Sequence, residues 1–250
     1  LKFMVKNNWE ILYQNKFNLK KKINVACILA YYNGSKYIKE QLQSIINQNQ
    51  EFFNLTIFIS DDNSDENFPN LNQFNIDKNK DLTIIYRKLA NNIGYSKNFI
   101  YTLKSINSEF DYYCFSDQDD IWLENKIENA IQNILIKATL KEKFSSKIPI
   151  LYGGRTTYYD ENCKSELGNS LLFKKKPSFR NAIIQNIAGG NTMVFNNPAK
   201  KIIIKSINRS SEIISHDWWC YQIISGVNVM RLSNNPINLN EEILKKIINS

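Results

Sequence analysis

Apolar residues in the first half of the chain come in short unbroken runs. Each run is followed by a polar turn and then by a helical stripe. Ile23-Asn24-Val25-Ala26-Cys27-Ile28-Leu29-Ala30 is the first run. A strand buried on both faces of a parallel sheet reads this way, because neither face meets water. Tyr31-Tyr32-Asn33-Gly34-Ser35 then has turn composition and includes a candidate N-cap. A helix is expected from Ser35, with Ile38, Leu42, Ile45 and Ile46 on one stripe. Residues 55–60 and 82–87 repeat the strand pattern, and 97–106 reads as a helix with Phe99, Leu103 and Ile106 inward. Tyr112-Tyr113-Cys114-Phe115 is the fourth run, and Ile127, Ala130, Ile131, Ile134 and Leu135 form the stripe of an amphipathic helix after it. Strand and helix thus alternate to about residue 137, which predicts an α/β fold with an open, mostly parallel sheet flanked by helices. Ligands of such sheets bind beyond the carboxyl ends of the strands. The polar loops 30–35, 61–65 and 116–120 occupy those ends.

The second half is less regular. Residues 148–152 read as a strand, 160–180 as a polar, basic, loop-rich insertion, and 186–195 as a glycine turn feeding a strand. Helices are expected over 199–207, from Ser215 to about Ile224, and over 241–248, with a last strand at 227–231. The expected organisation is an N-terminal helix or linker (1–22), one domain (23–232) and a C-terminal helix (233–250). No internal repeat is present, and the first residue is Leu1, which suits a processed or excised piece.

Composition narrows the class. The chain has 250 residues, 43% hydrophobic, which is enough for a substantial core. No apolar run approaches the ~20 residues that span a bilayer, and residues 1–22 lack the apolar centre of a signal peptide. Cys27, Cys114, Cys163 and Cys220 are scattered and do not cluster with His216, the one histidine, which argues against a zinc site or a disulfide framework and for a reducing, cytoplasmic compartment. The net charge of +8 suits an anionic partner. Lys20-Lys21-Lys22 and Lys174-Lys175-Lys176 are not interleaved with aromatics, so no nucleic acid is expected; solvated faces or contacts to anionic lipid, as in peripheral association with the inner face of a membrane, fit them better.

One stretch carries a chemical signal of its own. Asp117, Asp119 and Asp120 follow the fourth apolar run within four residues. Like charges this close are costly unless a positive group sits among them. A hard divalent cation such as Mg²⁺ or Mn²⁺ takes carboxylate oxygens and keeps phosphate oxygens as further ligands. A solvated turn capping the next helix reads equally well from spacing alone, and Asp120 is assigned to that N-cap.

Four motifs in order decide between these readings: Ala30-Tyr31-Tyr32-Asn33-Gly34, Ser60-Asp61-Asp62-Asn63-Ser64-Asp65, Ser116-Asp117-Gln118-Asp119-Asp120-Ile121-Trp122, and His216-Asp217-Trp218-Trp219. With them the chain resembles the inverting family 2 glycosyltransferases of the GT-A fold, within them the bacterial rhamnosyltransferase-like group, over about residues 23–232. The resemblance implies a Rossmann-like nucleotide-sugar transferase domain and an Mn²⁺ or Mg²⁺ cofactor. It makes Asp119 the metal ligand and Asp117 a holder of donor ribose or of a metal-bound water. It gives Asp62 the pyrimidine N–H, Tyr32 the base face, and the Ala30 backbone the nucleoside. Asn92 and Ser96 fall on the third donor loop, and Gly189 and Gly190 on a turn beneath the donor sugar. Asp217 becomes the catalytic base. His216 orients Asp217, touches the diphosphate, approaches the metal or is a satisfied structural residue; Trp218 or Trp219 offers a platform for a sugar ring. Local alternatives stand beside these roles: an Asx turn at 61–64, which is the preferred reading for Asp61, Asn63 and Ser64, a plain turn at 91–96, and an N-cap at Asp217.

The implied reaction moves a sugar, rhamnose favoured, from a dTDP- or UDP-linked donor to a hydroxyl of a lipid-linked or oligosaccharide acceptor in surface-glycan synthesis. Two other readings compete. A sugar nucleotidyltransferase ordinarily has a glycine-rich phosphate loop after the first strand, where this chain has a single glycine, Gly34. A non-catalytic basic binding module accounts for the charge but leaves Asp117, Asp119 and Asp217 without a task.

Overall fold

The structure is a computed structural model of the chain, and it describes residues 9–15, 23–78, 80–140, 148–160, 164–173, 176–208, 213–227 and 230–232. An eight-stranded sheet runs in the order β1-β4-β3-β2-β5-β9-β6-β10. Its strands are β1 (Glu10–Asn15), β2 (Ile23–Tyr31), β3 (Phe53–Asp61), β4 (Leu82–Lys88), β5 (Tyr112–Ser116), β6 (Leu151–Gly153), β9 (Val194–Asn196) and β10 (Met230–Leu232). The centre, β4-β3-β2-β5, is parallel throughout. β1 and β9 are antiparallel to their neighbours, and β10 returns to parallel pairing with β6.

The apolar runs follow the predicted logic. On β2, Val25, Cys27 and Leu29 enter one core with Ile38, Leu42 and Ile45 of α1 (Ile38–Ile46) and with Ile127, Ala130 and Ile131 of α3 (Lys126–Leu140). The alternate residues Ala26 and Ile28 enter a second core. There they meet Phe99 and Leu103 of α2 (Tyr95–Ser105), Ile203 of α5 (Asn197–Ile207), and Tyr221 and Ile224 of α6 (His216–Gly226). A two-sided core leaves the central strands no polar face, hence their unbroken hydrophobicity.

Several expectations are corrected. Within 1–22, the described part forms the edge strand β1, because Leu12 and Tyr13 pack against the first core and the backbone pairs with β4. The 160–180 insertion is not all loop: β7 (Thr157–Tyr159) and β8 (Glu166–Asn169) form a hairpin, and α4 (Phe179–Ile184) begins at its end. Helix α1 begins at Ile38 rather than Ser35, whose backbone N–H donates to Glu66 at 2.6 Å. Cys27, Cys114 and Cys220 are buried and reduced. Cys163, the lysines at 20–22 and 174–175, and the expected C-terminal helix lie outside the described residues.

β2 is flanked by β3 on one side and β5 on the other, so the chain's direction of travel across the sheet reverses there. This is the switch point at which open α/β sheets leave a crevice. The loops after β2 and β5 form its lips.

Candidate active site

Three loops beyond the strand ends are tied by hydrogen bonds. Asn33, at φ 44°, exchanges bonds with the loop after β3: its N–H donates to Ser64 Oγ at 2.9 Å, and its Oδ1 accepts from Asp65 N–H at 2.9 Å. Glu66 accepts from the Tyr31 hydroxyl at 2.5 Å. Asp61 Oδ1 accepts from Ser64 N–H at 2.7 Å, a local bond that reaches one residue further than the expected Asx turn.

Asp62 is bonded to the loop after β4. It is 2% exposed, and its two oxygens accept from Ile93 N–H and Gly94 N–H, each at 2.8 Å. Its carboxylate therefore holds the loop after β4, and each oxygen keeps a further acceptor position. Burial raises its pKa, and the two amide bonds pull the other way. Asn92 is exposed and accepts from Gly94 N–H at 3.1 Å, whereas Ser96 is buried. Tyr32 is 45% exposed at the crevice lip, and Ala30 is half-buried at the last turn of β2.

The acidic loop after β5 has internal differences. Asp119 is exposed, while Asp117 and Asp120 are half-buried. Asp120 is not the N-cap of α3, which begins only at Lys126. Its Oδ2 accepts instead from Asn191 Nδ2 at 2.7 Å, because the chain turns inward at Trp122 before the helix starts. Burial, and then the charges of Asp120, Asp119 and Asp217, raise the Asp117 carboxyl to about 7. The one positive group acting against them is Lys126. Its ammonium is buried, has no hydrogen-bond partner among the described residues, and lies 3.1 Å from the Trp122 ring centroid. Burial lowers the Lys126 pKa to about 8.

Asp217 sits in the first turn of α6, whose N-cap is Ser215 rather than Asp217. Ser215 Oγ donates to Asp217 Oδ1, Trp218 N–H donates to the same oxygen at 2.6 Å, and Gly190 N–H donates to Oδ2 at 3.2 Å. The turn 189–191 thus touches both acidic elements, through Asn191 to Asp120 and through Gly190 to Asp217. Gly189 is exposed and Gly190 buried. A Cβ on Gly190 would stand 2.4 Å from His216 Nε2, so only glycine fits there. His216 is 3% exposed, stacked on Phe99 at 4.1 Å, with neither ring nitrogen paired among the described residues. Burial lowers its pKa to about 4, leaving the imidazole neutral.

Trp218 and Trp219 are fastened to neighbouring helices: Trp218 Nε1 donates to Ala182 O at 2.6 Å and Trp219 Nε1 to Ser206 Oγ at 2.9 Å. Arg155 donates to Ser170 O and stabilises the β7–β8 hairpin. Among the described residues, no group of three or more His, Cys, Asp or Glu side chains is arranged to hold a metal ion. A hard cation shared with substrate phosphates needs only one or two carboxylates. Asp119 and the desolvated Asp117 fit that demand.

Residues 26–140, which include the first three motif loops, match the family model described as glycosyl transferase family 2. The chain carries a glycosyl transferase family 2 domain. It is 34% identical over 198 residues to a dTDP-rhamnosyl transferase RfbG of Shigella flexneri, covering 77% of this chain and 63% of that protein. It is also 27% identical over 154 residues to an uncharacterized glycosyltransferase of Rickettsia conorii, covering 62% of this chain and 22% of that one. The chain thus spans under two thirds of the length of these relatives. S. aureus TarS in complex with UDP superposes with a TM-score of 0.55 at 15% identity, covering 90% of this chain and 63% of that one. That likeness, over 90% of this chain, extends the GT-A architecture beyond the matched segment.

Gln118, Asn191 and Lys126 escaped the sequence reading as site residues. Lys126 lies over the ring of Trp122, but Trp122 precedes α3, so no helical spacing announces the pair. The partners of Gln118 and Asn191 are distant in sequence and left no local trace.

Proposed function

We propose that this protein is a divalent-metal-dependent, inverting glycosyltransferase that moves a sugar, rhamnose favoured, from a nucleoside-diphosphate donor to a hydroxyl of a surface-glycan acceptor. The observation that carries the proposal is the turn 189–191, which bonds the acidic loop on one side and Asp217 on the other. One carboxylate group serves the leaving group and the other the nucleophile. The kinship with a dTDP-rhamnosyl transferase supports the donor.

Asp119, with Asp117 beside it, is the pair that would hold the cation. When bound, that ion neutralises the charge that builds on the departing diphosphate. Asp217 takes the proton of the acceptor hydroxyl as its oxygen attacks the anomeric carbon, a transfer that contributes typically ~10²–10⁴-fold. Ser215, Trp218 N–H and Gly190 N–H orient the carboxylate for that task. Tyr32 offers an exposed aromatic face to the nucleoside, and Asp62 supports the neighbouring loop.

The test is Asp217→Asn. Sugar transfer should be abolished, while Mn²⁺-dependent affinity for the nucleoside diphosphate stays within about two-fold of wild type. Equal loss of both would remove Asp217 from the role of base.

A further inference from the structure

The middle residue of the acidic loop has a task that the chemistry above does not use. The backbone ladder between β2 and β5 ends at Leu29 and Ser116. Beyond it, Gln118 continues the pairing with its side chain. Tyr32 N–H donates to Gln118 Oε1 at 2.8 Å, and Gln118 Nε2 donates to Tyr32 O at 3.1 Å. The amide thus occupies both backbone groups of Tyr32, across the switch point of the sheet. A second observation concerns the space that the same amide fills. A Cβ on Gly34 would lie 2.4 Å from Gln118 Cδ and 2.4 Å from Oε1. Gly34 has no positive φ, so the missing side chain there is required by the space Gln118 fills.

We infer that Gln118 is a positioning residue that makes nucleoside binding and divalent-cation binding mutually dependent. The inference rests on the proposed donor site. Gln118 shares its backbone with Asp117 and Asp119, so a displacement of either carboxylate moves its amide. The amide grips Tyr32 at two atoms, so the loop that faces the nucleoside moves with it. The loop of Tyr32 is in turn bonded to the loop of Asp62 through Asp62 N–H to Tyr31 O at 2.8 Å and through Asn33. Ligands at either end therefore act on one hydrogen-bonded body. Coupling carried this way is reciprocal: each ligand tightens the other by the same factor.

The experiment uses Mn²⁺ and free thymidine or uridine. These nucleosides carry no phosphate to chelate the ion, so any coupling between them runs through the protein. In the wild-type chain, saturating nucleoside should tighten Mn²⁺, read by electron paramagnetic resonance, by about five-fold or more. In Gln118→Leu the ratio should fall to about one, with each ligand alone binding within about three-fold of wild type. Gly34→Ala should do the same with Gln118 intact, because its new methyl expels the amide. An unchanged ratio in both variants, or no coupling in the wild type, overturns the inference. Nucleoside diphosphate with Mn²⁺ is titrated in parallel. Failure of that binding in the wild type refutes the donor site itself, whereas its success with no coupling refutes only the role of Gln118.

Discussion

Gly190→Ala tests the centre of the site without touching a carboxylate. The new Cβ would meet His216 Nε2 at 2.4 Å, His216 Cε1 at 3.1 Å and Asp217 Cβ at 3.4 Å. Ordinary contact is near 3.5–4.0 Å, so the imidazole has to retreat by roughly 1 Å. It has no easy path. Phe99 stacks on one face at 4.1 Å, and Phe115 and Tyr95 stand edge-on at 5.1 and 6.0 Å. Overpacking of this kind costs about 1–3 kcal/mol. In a domain of this size that lowers Tm by about 2–12 °C. The relief route is α6 itself, and its movement stretches the 3.2 Å bond from Gly190 N–H to Asp217. Misorientation of the base should lower kcat by at least ~10-fold. Nucleoside-diphosphate affinity, assigned in the proposed site to the loops after β2 and β5, should hold within ~3-fold. Thermal denaturation, a single-turnover transfer assay and a nucleotide titration read the three quantities. The double variant with His216→Ala should recover most of the stability lost relative to His216→Ala alone. Wild-type Tm and kcat in Gly190→Ala would refute the contact and the positioning argument together.

Other outcomes follow from the same geometry. His216 has a pKa of about 4 in the fold against an ordinary 6.5, so the unfolded chain binds more protons between those values. Stability is therefore complete above pH 6.5 and falls as pH drops toward 4, by up to about 3 kcal/mol; His216→Phe should flatten that part of the profile in denaturant titrations. Asp119→Ala should remove metal-dependent nucleotide binding by calorimetry, and full transfer by chelator-treated protein would exclude the metal role. Asp62→Ala leaves the N–H groups of Ile93 and Gly94 without their acceptor and should cost about 2–4 kcal/mol in chemical denaturation, together with a raised donor KM.

The central sheet was legible because its signal is local. A strand buried on both faces is apolar at every position, and its neighbours in sequence suffice to show it. Residues 25–29 of the first run and the stripe of Ile127, Ala130, Ile131 and Ile134 are both found in the core. The edge strand β1 was not legible, since one-sided burial and pairing with β4 depend on a partner far along the chain. Asp120 shows the same limit inside the site. Locally an aspartate before a helical stripe is a cap, yet Asn191 claims it from another element. The motif carboxylates stand out by pattern; the backbone groups that their oxygens bond do not. Asp62 is the sharpest instance, with both oxygens given to the loop after β4.

Those long-range bonds form a single succession. Ile93 and Gly94 bond Asp62, Asp62 N–H bonds Tyr31, and Tyr32 bonds Gln118. Asp120, two residues on, bonds Asn191, and Gly190 beside it bonds Asp217. Every link but the one to Tyr31, the last residue of β2, is made by a loop or a helix start rather than by the sheet. A transferase of the proposed kind must hold donor and acceptor in one geometry, and an error of 1 Å far from the reacting atoms can cost ~10²-fold. Rigid strands alone cannot supply that precision, because the ladder of β2 and β5 ends before the site begins. Side-chain amides supply it instead: Gln118 and Asn191 are neutral, short of rotamer freedom once paired at both ends of their loops, and able to bond carboxylate or backbone without adding charge to an already crowded acidic site. On this account the two amides are as necessary to the spacing of Asp119 and Asp217 as the strands that deliver them. Gln118→Leu and Asn191→Leu should therefore be additive in stability but more than additive in loss of kcat. Simple additivity in both would show that the loops are positioned independently.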